Sequence, residues 1–263
     1  MQKRDPTFLI NTDTSPVNAD ATENRVGTGH DLMTRLPNDY RAIVFGASGT
    51  LGQAWTHLLT LDPRCCGVIG LSRASDPAIV LEDEDSLRRA AQALKDKGPF
   101  HLILDATGAL IIDDRGPEKR LEELDPQALL RAMQVNAVGP ALLMKHFVPL
   151  LASAERSIWA KLSARVGSIE DNRKGGWYGY RASKAALNML LQTAAIEVAR
   201  RRPLAVVAAL QPGTVRSPLS QPFVGADAMD PVSSARQMLM ALDRLDACGH
   251  AQFLDYRGNG IPW

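Results

Sequence analysis

The sequence is short of the features that mark several protein classes. Its 263 residues hold three cysteines, the adjacent Cys65 and Cys66 and the distant Cys248, with no Cys-X-X-Cys pair and no Cys/His cluster at metal-ligand spacing. No disulfide framework and no metal site are expected, and a reducing compartment is. Nowhere do about 18 apolar residues run together, so no membrane-spanning helix is expected. The apolar stretch at residues 7–10 is too brief for a signal peptide, which points to a cytoplasmic location. An excess of one charge is lacking too: 30 Lys and Arg against 29 Asp and Glu leave a formal net charge of +1. Without a global field, neither nucleic acid nor an acidic membrane is an expected partner.

What is present is ordinary globular composition, 45% hydrophobic and 22% charged, enough for one large domain with a buried core. Residues 1–38 are rich in Asp, Asn, Thr and Gly and show no helical or strand period, so a flexible N-terminal arm is predicted there. Residues 39–263 read as a single domain. Apolar runs at 41–45, 67–71, 101–106, 157–163, 204–210 and 250–256 alternate with amphipathic stretches at 53–61, 85–95, 126–151 and 178–201. Strands fed by crossover helices predict an α/β fold, a single Rossmann-type, doubly wound parallel sheet with helices on both faces. There is no internal repeat.

Between the first strand and the first helix lies Gly46-Ala47-Ser48-Gly49-Thr50-Leu51-Gly52. Glycines there permit a tight turn and let a pyrophosphate approach the backbone at a helix amino terminus. Gly46, Ser48, Gly49, Thr50, Leu51 and Gly52 are therefore candidate dinucleotide contacts. The end of the second strand selects the dinucleotide, since an acidic residue there bonds the ribose and an arginine pairs with a 2′-phosphate. Leu71-Ser72-Arg73 supplies Arg73, which favours NADP(H), while Asp76 keeps NAD(H) open. Farther on, Tyr180 and Lys184 stand four residues apart at the start of a helix, on one face and about 6 Å apart along the axis. An ammonium beside a phenol favours the phenolate, lowering the tyrosine pKa from about 10 toward the working pH of an acid–base catalyst.

Taken in order, these elements resemble the short-chain dehydrogenase/reductase family over residues 40–263. Gly46, Gly49 and Gly52 loosely match its glycine motif, and Asp105-Ala106-Thr107-Gly108 its NNAG element. Asn136 matches its helix asparagine, Tyr180 and Lys184 its YxxxK pair, and Pro212-Gly213-Thr214-Val215 its PG element, with Ser217 placed to hold the carboxamide. The resemblance thus implies Ala106, Thr107, Gly108, Pro212, Gly213, Val215 and Ser217 as further cofactor contacts. The stretch around Gly167-Ser168-Ile169 and Tyr180-Arg181-Ala182-Ser183-Lys184, with the ending Gly260-Ile261-Pro262-Trp263, is similar to the C-factor and sniffer-like carbonyl reductase branch. Three departures stand out. Ala164 occupies the place of the family's catalytic serine, leaving Ser163 and Ser168 as candidates. Asp105 replaces the first asparagine of NNAG. The acidic residue that covers the adenine falls near Val80, with Glu82 or Asp83 as substitutes.

The activity implied is hydride transfer between a nicotinamide and a small carbonyl or alcohol substrate. Tyr180 acts as acid or base, Lys184 holds the ribose and assists the tyrosine, and Asn136 holds a relay water. A homodimer or homotetramer is expected by the same resemblance. Two other functions stay open: a dinucleotide-binding signalling or scaffold protein with little turnover, and a nucleotide-sugar epimerase or dehydratase, for which the residues after the sixth strand leave little room. His146, the Arg200-Arg201-Arg202 run and the pair Trp177 and Tyr178 read first as structural.

Overall fold

A computed structural model describes residues 31–217 and 228–263. Strands and helices alternate along it: β1 (Tyr40–Phe45), α1 (Thr50–Leu61), β2 (Cys65–Leu71), α2 (Glu84–Leu94), β3 (Leu102–Asp105), α3 (Pro126–Met133), α4 (Gly139–Phe147), β4 (Ser157–Leu162), α5 (Tyr178–Arg201), β5 (Ala205–Gln211), α6 (Pro231–Arg244) and β6 (Gln252–Asp255). Every strand pairing is parallel, and the six strands run in the order β2-β1-β3-β4-β5-β6. The predicted doubly wound sheet is what forms.

Strand composition explains the two layers. Inner strands are apolar on both faces, as a sheet covered on both sides demands. From β1, Ile43 and Phe45 enter the layer made with α2, α4 and α5, while Ala42 and Val44 enter the layer made with α1 and α6. Because β1 pairs with β2 on one side and β3 on the other, the chain leaves its carboxyl end in opposite directions, and a crevice opens there.

Two expectations change. Part of the presumed arm is packed: Leu32, Met33 and Leu36 are buried against α1 and α6, and buried Asp62 accepts from the Leu32 amide at 3.1 Å. Residues 1–30 lie outside the described residues. The helix expected over 126–151 is interrupted by a π turn at Gln134–Val138. Pro140 has no N–H to give the carbonyl four residues back, and its ring crowds that carbonyl, so the ladder widens at Asn136. Between β2 and α2 the chain makes turns and no strand.

Candidate active site

The crevice begins at Gly46, whose φ of +70° turns the chain out of β1. A Cβ on Gly52 would lie 2.1 Å from the Gly46 carbonyl oxygen, so only glycine lets the first turn of α1 settle on the turn before it. Gly49 caps α1 without a side chain, and no acidic residue stands in the first turn. The helix's leading N–H groups and its positive dipole end therefore suit an anion. The opposite wall is the chain leaving β3 at residues 106–108.

Two adjoining cavities line this crevice. One, of about 320 Å³, gathers Gly49, Thr50, Leu51, Gly52, Ala106, Thr107, Gly108, Ser163, Tyr180, Lys184, Pro212, Val215 and Ser217. The other, of about 380 Å³, shares Gly49 and residues 106–108 and adds Gly46, Ser48, Arg73, Glu82 and Arg131. Asp76 and Asp83 line neither; Asp83 caps α2, its carboxylate accepting from the Asp85 amide at 3.0 Å. A third cavity, of about 500 Å³, lies between residues 109–118 and α3 and reaches both Tyr180 and Asn136. Gly213 lines none of them: its φ is +78°, and a Cβ there would press on the Tyr256 ring at 2.9 Å.

Helix α5 carries the central pair. Its N-cap, Trp177, adopts a left-handed φ of 56° and sets its ring edge-on to Tyr180, 6.1 Å between centroids. Glu118 accepts from the Gly179 amide at 3.0 Å, a carboxylate at the positive end of the helix. Lys184 Nζ stands 5.7 Å from the Tyr180 ring centre and donates to the Leu162 carbonyl at 3.2 Å. Burial holds the Lys184 ammonium down to about 7, helped by the charge of Lys161 and opposed by Asp105. Burial also pushes the Tyr180 phenol up to about 12. The expectation of a lowered tyrosine is corrected: burial raises the phenol, so Tyr180 keeps its proton at neutral pH.

Asn136 sits fully buried in the π turn, accepting from the Ala109 amide at 2.8 Å and donating to the Ala109 carbonyl at 2.9 Å. Ser163, just past the end of β4, lines the cavity, but its hydroxyl donates to Asn188 Oδ1 at 2.6 Å. Ser168 is not brought to the crevice. The chain turns after Ala164, and the Ser168 hydroxyl accepts from the Asp171 amide at 3.0 Å and donates to the Trp263 carbonyl at 3.3 Å.

Several residues of the site escape a linear reading. Arg131 of α3 bridges Glu82 and Asp113, each at 3.1 Å, across the second cavity. Lys161, buried in β4, pairs with Asp105 of β3 at 3.1 Å. A charged residue inside the apolar strand Ser157-Ile158-Trp159-Ala160-Lys161-Leu162 was the available signal, since lysine is almost never fully buried unless paired.

A family model described as enoyl-(acyl carrier protein) reductase matches residues 80–253. C-signal of Myxococcus xanthus is 33% identical over 167 residues, which cover 63% of this chain and 94% of that protein. Short-chain dehydrogenase srdF of Neurospora crassa is 29% identical over 66% of this chain and 70% of its own length. Two solved structures share the fold: the NADPH-bound carbonyl reductase from chicken fatty liver (TM-score 0.75, 20% identity, 88% of this chain and 97% of that one), and carbonyl reductase Sniffer of D. melanogaster (TM-score 0.73, 22% identity, 86% and 100%). With the family match running from the turn before α2 into β6, and C-signal aligned over nearly all its length, the chain belongs to the short-chain dehydrogenase/reductase family of oxidoreductases.

Proposed function

We propose that this chain interconverts a carbonyl and an alcohol with NADP(H), Tyr180 giving or taking the proton and Lys184 assisting it. One observation carries the reading: Tyr180 and Lys184, four residues apart on α5, face the same cavity as the side-chain-free turn at the start of α1. The glycine turn fits a dinucleotide diphosphate, because a Cβ at Gly46 or Gly52 would fill the space the backbone needs. Arg73, lining the second cavity where Asp76 does not, suits a 2′-phosphate, and the chicken carbonyl reductase of the same fold is NADPH-bound. Glu82, held by Arg131 in that cavity, supplies the acidic residue for the adenine end.

The bound cofactor supplies hydride to the substrate carbon. The phenol of Tyr180 supplies the proton to the carbonyl oxygen, and its high pKa keeps that proton available through neutral pH. Lys184, which titrates at about 7, then restores the tyrosine's proton, and Asn136, fixed on both sides by Ala109, orders the relay water that recharges Lys184. Ser163 is the hydroxyl in the cavity that can turn from Asn188 toward the carbonyl, the task Ala164 cannot do. The chain works in the cytoplasm, where Cys65, Cys66 and Cys248 stay as thiols. It pairs with further copies through exposed Leu130, Met189 and Ile196 on α3 and α5.

The test follows NADPH and NADH absorbance in parallel over a panel of ketones, aldehydes and quinones. Tyr180→Phe is expected to cut kcat by on the order of 10²–10⁴-fold while NADPH still binds. Unchanged turnover would sink the acid–base assignment. A second reading rests on Ala164: a dinucleotide-binding protein with little turnover, like C-signal in sequence. Tight NADPH binding with no carbonyl reduced across the panel selects it.

A further inference from the structure

Lys161 is a buried ionisable group to which the proposed mechanism gives no task. Lys161 comes from the centre of the sheet, is fully buried, and faces the carboxyl end of β3. Its Nζ donates to Asp105 Oδ1 at 3.1 Å, to the Thr107 carbonyl at 2.5 Å and to Thr107 Oγ1 at 3.2 Å. Asp105 Oδ1 in turn accepts from the Thr107 amide at 2.8 Å and hydroxyl at 2.6 Å. Its other oxygen is buried and makes no hydrogen bond among the described residues, so Lys161 carries the neutralisation of this carboxylate.

The turn so fixed touches the proton machinery directly. Gly108, next in the chain, has a φ of +124°, and a Cβ on it would lie 3.0 Å from Asn136 Oδ1 and 3.3 Å from Lys184 Nζ. Lys161 therefore reaches Lys184 across one residue of backbone.

We propose that Lys161 is a positioning residue for the Tyr180–Lys184 pair: it holds residues 105–108 in the shape Asn136 and Lys184 pack against, and its charge opposes the charge on Lys184. This rests on the acid–base reading of α5. Among the described residues, the charged and titratable groups that face Lys184 are Lys161 on β4, Asp105 at the end of β3 and Tyr180 on α5, and its Nζ donates to the uncharged Leu162 carbonyl. Of the two charged neighbours on the sheet, Lys161 acts more strongly than Asp105. Burial does most to bring Lys184 down to about 7, and the charge of Lys161 adds to it, so that Lys184 releases its proton near neutral pH.

The test reads Lys184 itself and needs neither cofactor nor substrate. In the full chain labelled with [ε-13C]lysine, the Lys184 signal is identified by its loss in Lys184→Arg and followed against pH. It is expected to titrate near 7, and the Lys161 signal to respond at the same step because the two sites are coupled. Lys161→Gln should raise the Lys184 midpoint by about two pH units, the scale of one charge several ångströms away at an effective dielectric near 20. Because Lys161→Gln strands the Asp105 carboxylate, Asp105→Asn/Lys161→Gln is measured beside it; this pair keeps hydrogen-bonding groups without either charge, and the midpoint should still rise. A midpoint unmoved or lowered in the folded variants overturns the proposal. So does a natural protein in which Lys184 titrates in the ordinary lysine range, or in which neither lysine senses the other. Failure of Tyr180→Phe to slow turnover would remove the catalytic meaning yet leave this electrostatic result standing, so the two failures are told apart.

Discussion

The buried ammonium of Lys184 sets the terms at the residue scale. Lys184 is 3% exposed, with a folded pKa of about 7 against an ordinary 10.5. Between those values the unfolded chain keeps a proton that the folded chain has released, so stability gains as pH rises through that window and the full burial cost is felt below it. Lys184→Met keeps an unbranched stem and removes the charge. It is expected to raise Tm by several degrees at pH 6 and by much less near pH 10, while abolishing turnover. An equal gain at both pH values, by thermal unfolding followed with circular dichroism, would contradict a charged Lys184 at pH 6. The same burial that weakens the ammonium strengthens the phenol's hold on its proton, which suits Tyr180 and Lys184 to the donor and shuttle roles proposed for them.

Elements matter through how they end. The crevice exists because α1 begins without a side chain in the way, and Gly52→Ala tests this directly. Its new methyl would meet backbone at 2.1 Å, with no flexible side chain to yield, so the first turn of α1 must move off Gly46. NADPH affinity, by fluorescence titration, should fall about tenfold or more, a loss of about 1.4 kcal/mol; affinity within twofold of the natural chain would show that the turn does not cradle the diphosphate. This element was readable because its cause is local. So was α5, predicted at 178–201 and found at Tyr178–Arg201, with Pro203 to stop it. Legibility fails where the cause is not local. The stretch at 126–151 has continuous helical period, and only the competition between that period and Pro140 decides that Asn136 sits in a π turn. Ser168 is apart from the crevice because the carboxyl-terminal Trp263 claims its hydroxyl. Asp105 and Lys161 stand 56 residues apart and meet only as neighbours in the sheet.

Over the whole molecule, the amino-terminal segment and helix α5 lie on opposite faces of the sheet. Residues 32–36 dock on the α1 and α6 side: the Thr34 and Arg35 amides donate to Asp243 at 3.0 and 2.9 Å, and Asp62 takes the Leu32 amide and, at 2.9 Å, the Tyr40 hydroxyl. Sequence period had no means of finding this, since Leu32, Met33 and Leu36 bury themselves against partners far along the chain. Helix α5 packs on the opposite face, with α2 and α4. A cavity opened beneath the amino-terminal segment should therefore cost stability and spare the crevice. Leu36, 2% exposed, is the cleanest probe. Leu36→Ala is expected to lower unfolding free energy by about 2–5 kcal/mol in urea melts, from lost transfer energy and an uncollapsed void. At a temperature where the variant stays folded, its kcat should match the natural chain, because Leu36 packs in the core layer on the opposite face of the sheet from α5. A kcat lowered in step with stability would mean instead that the two layers move as one, and that residues 31–38 belong to the catalytic architecture they were expected to hang free of.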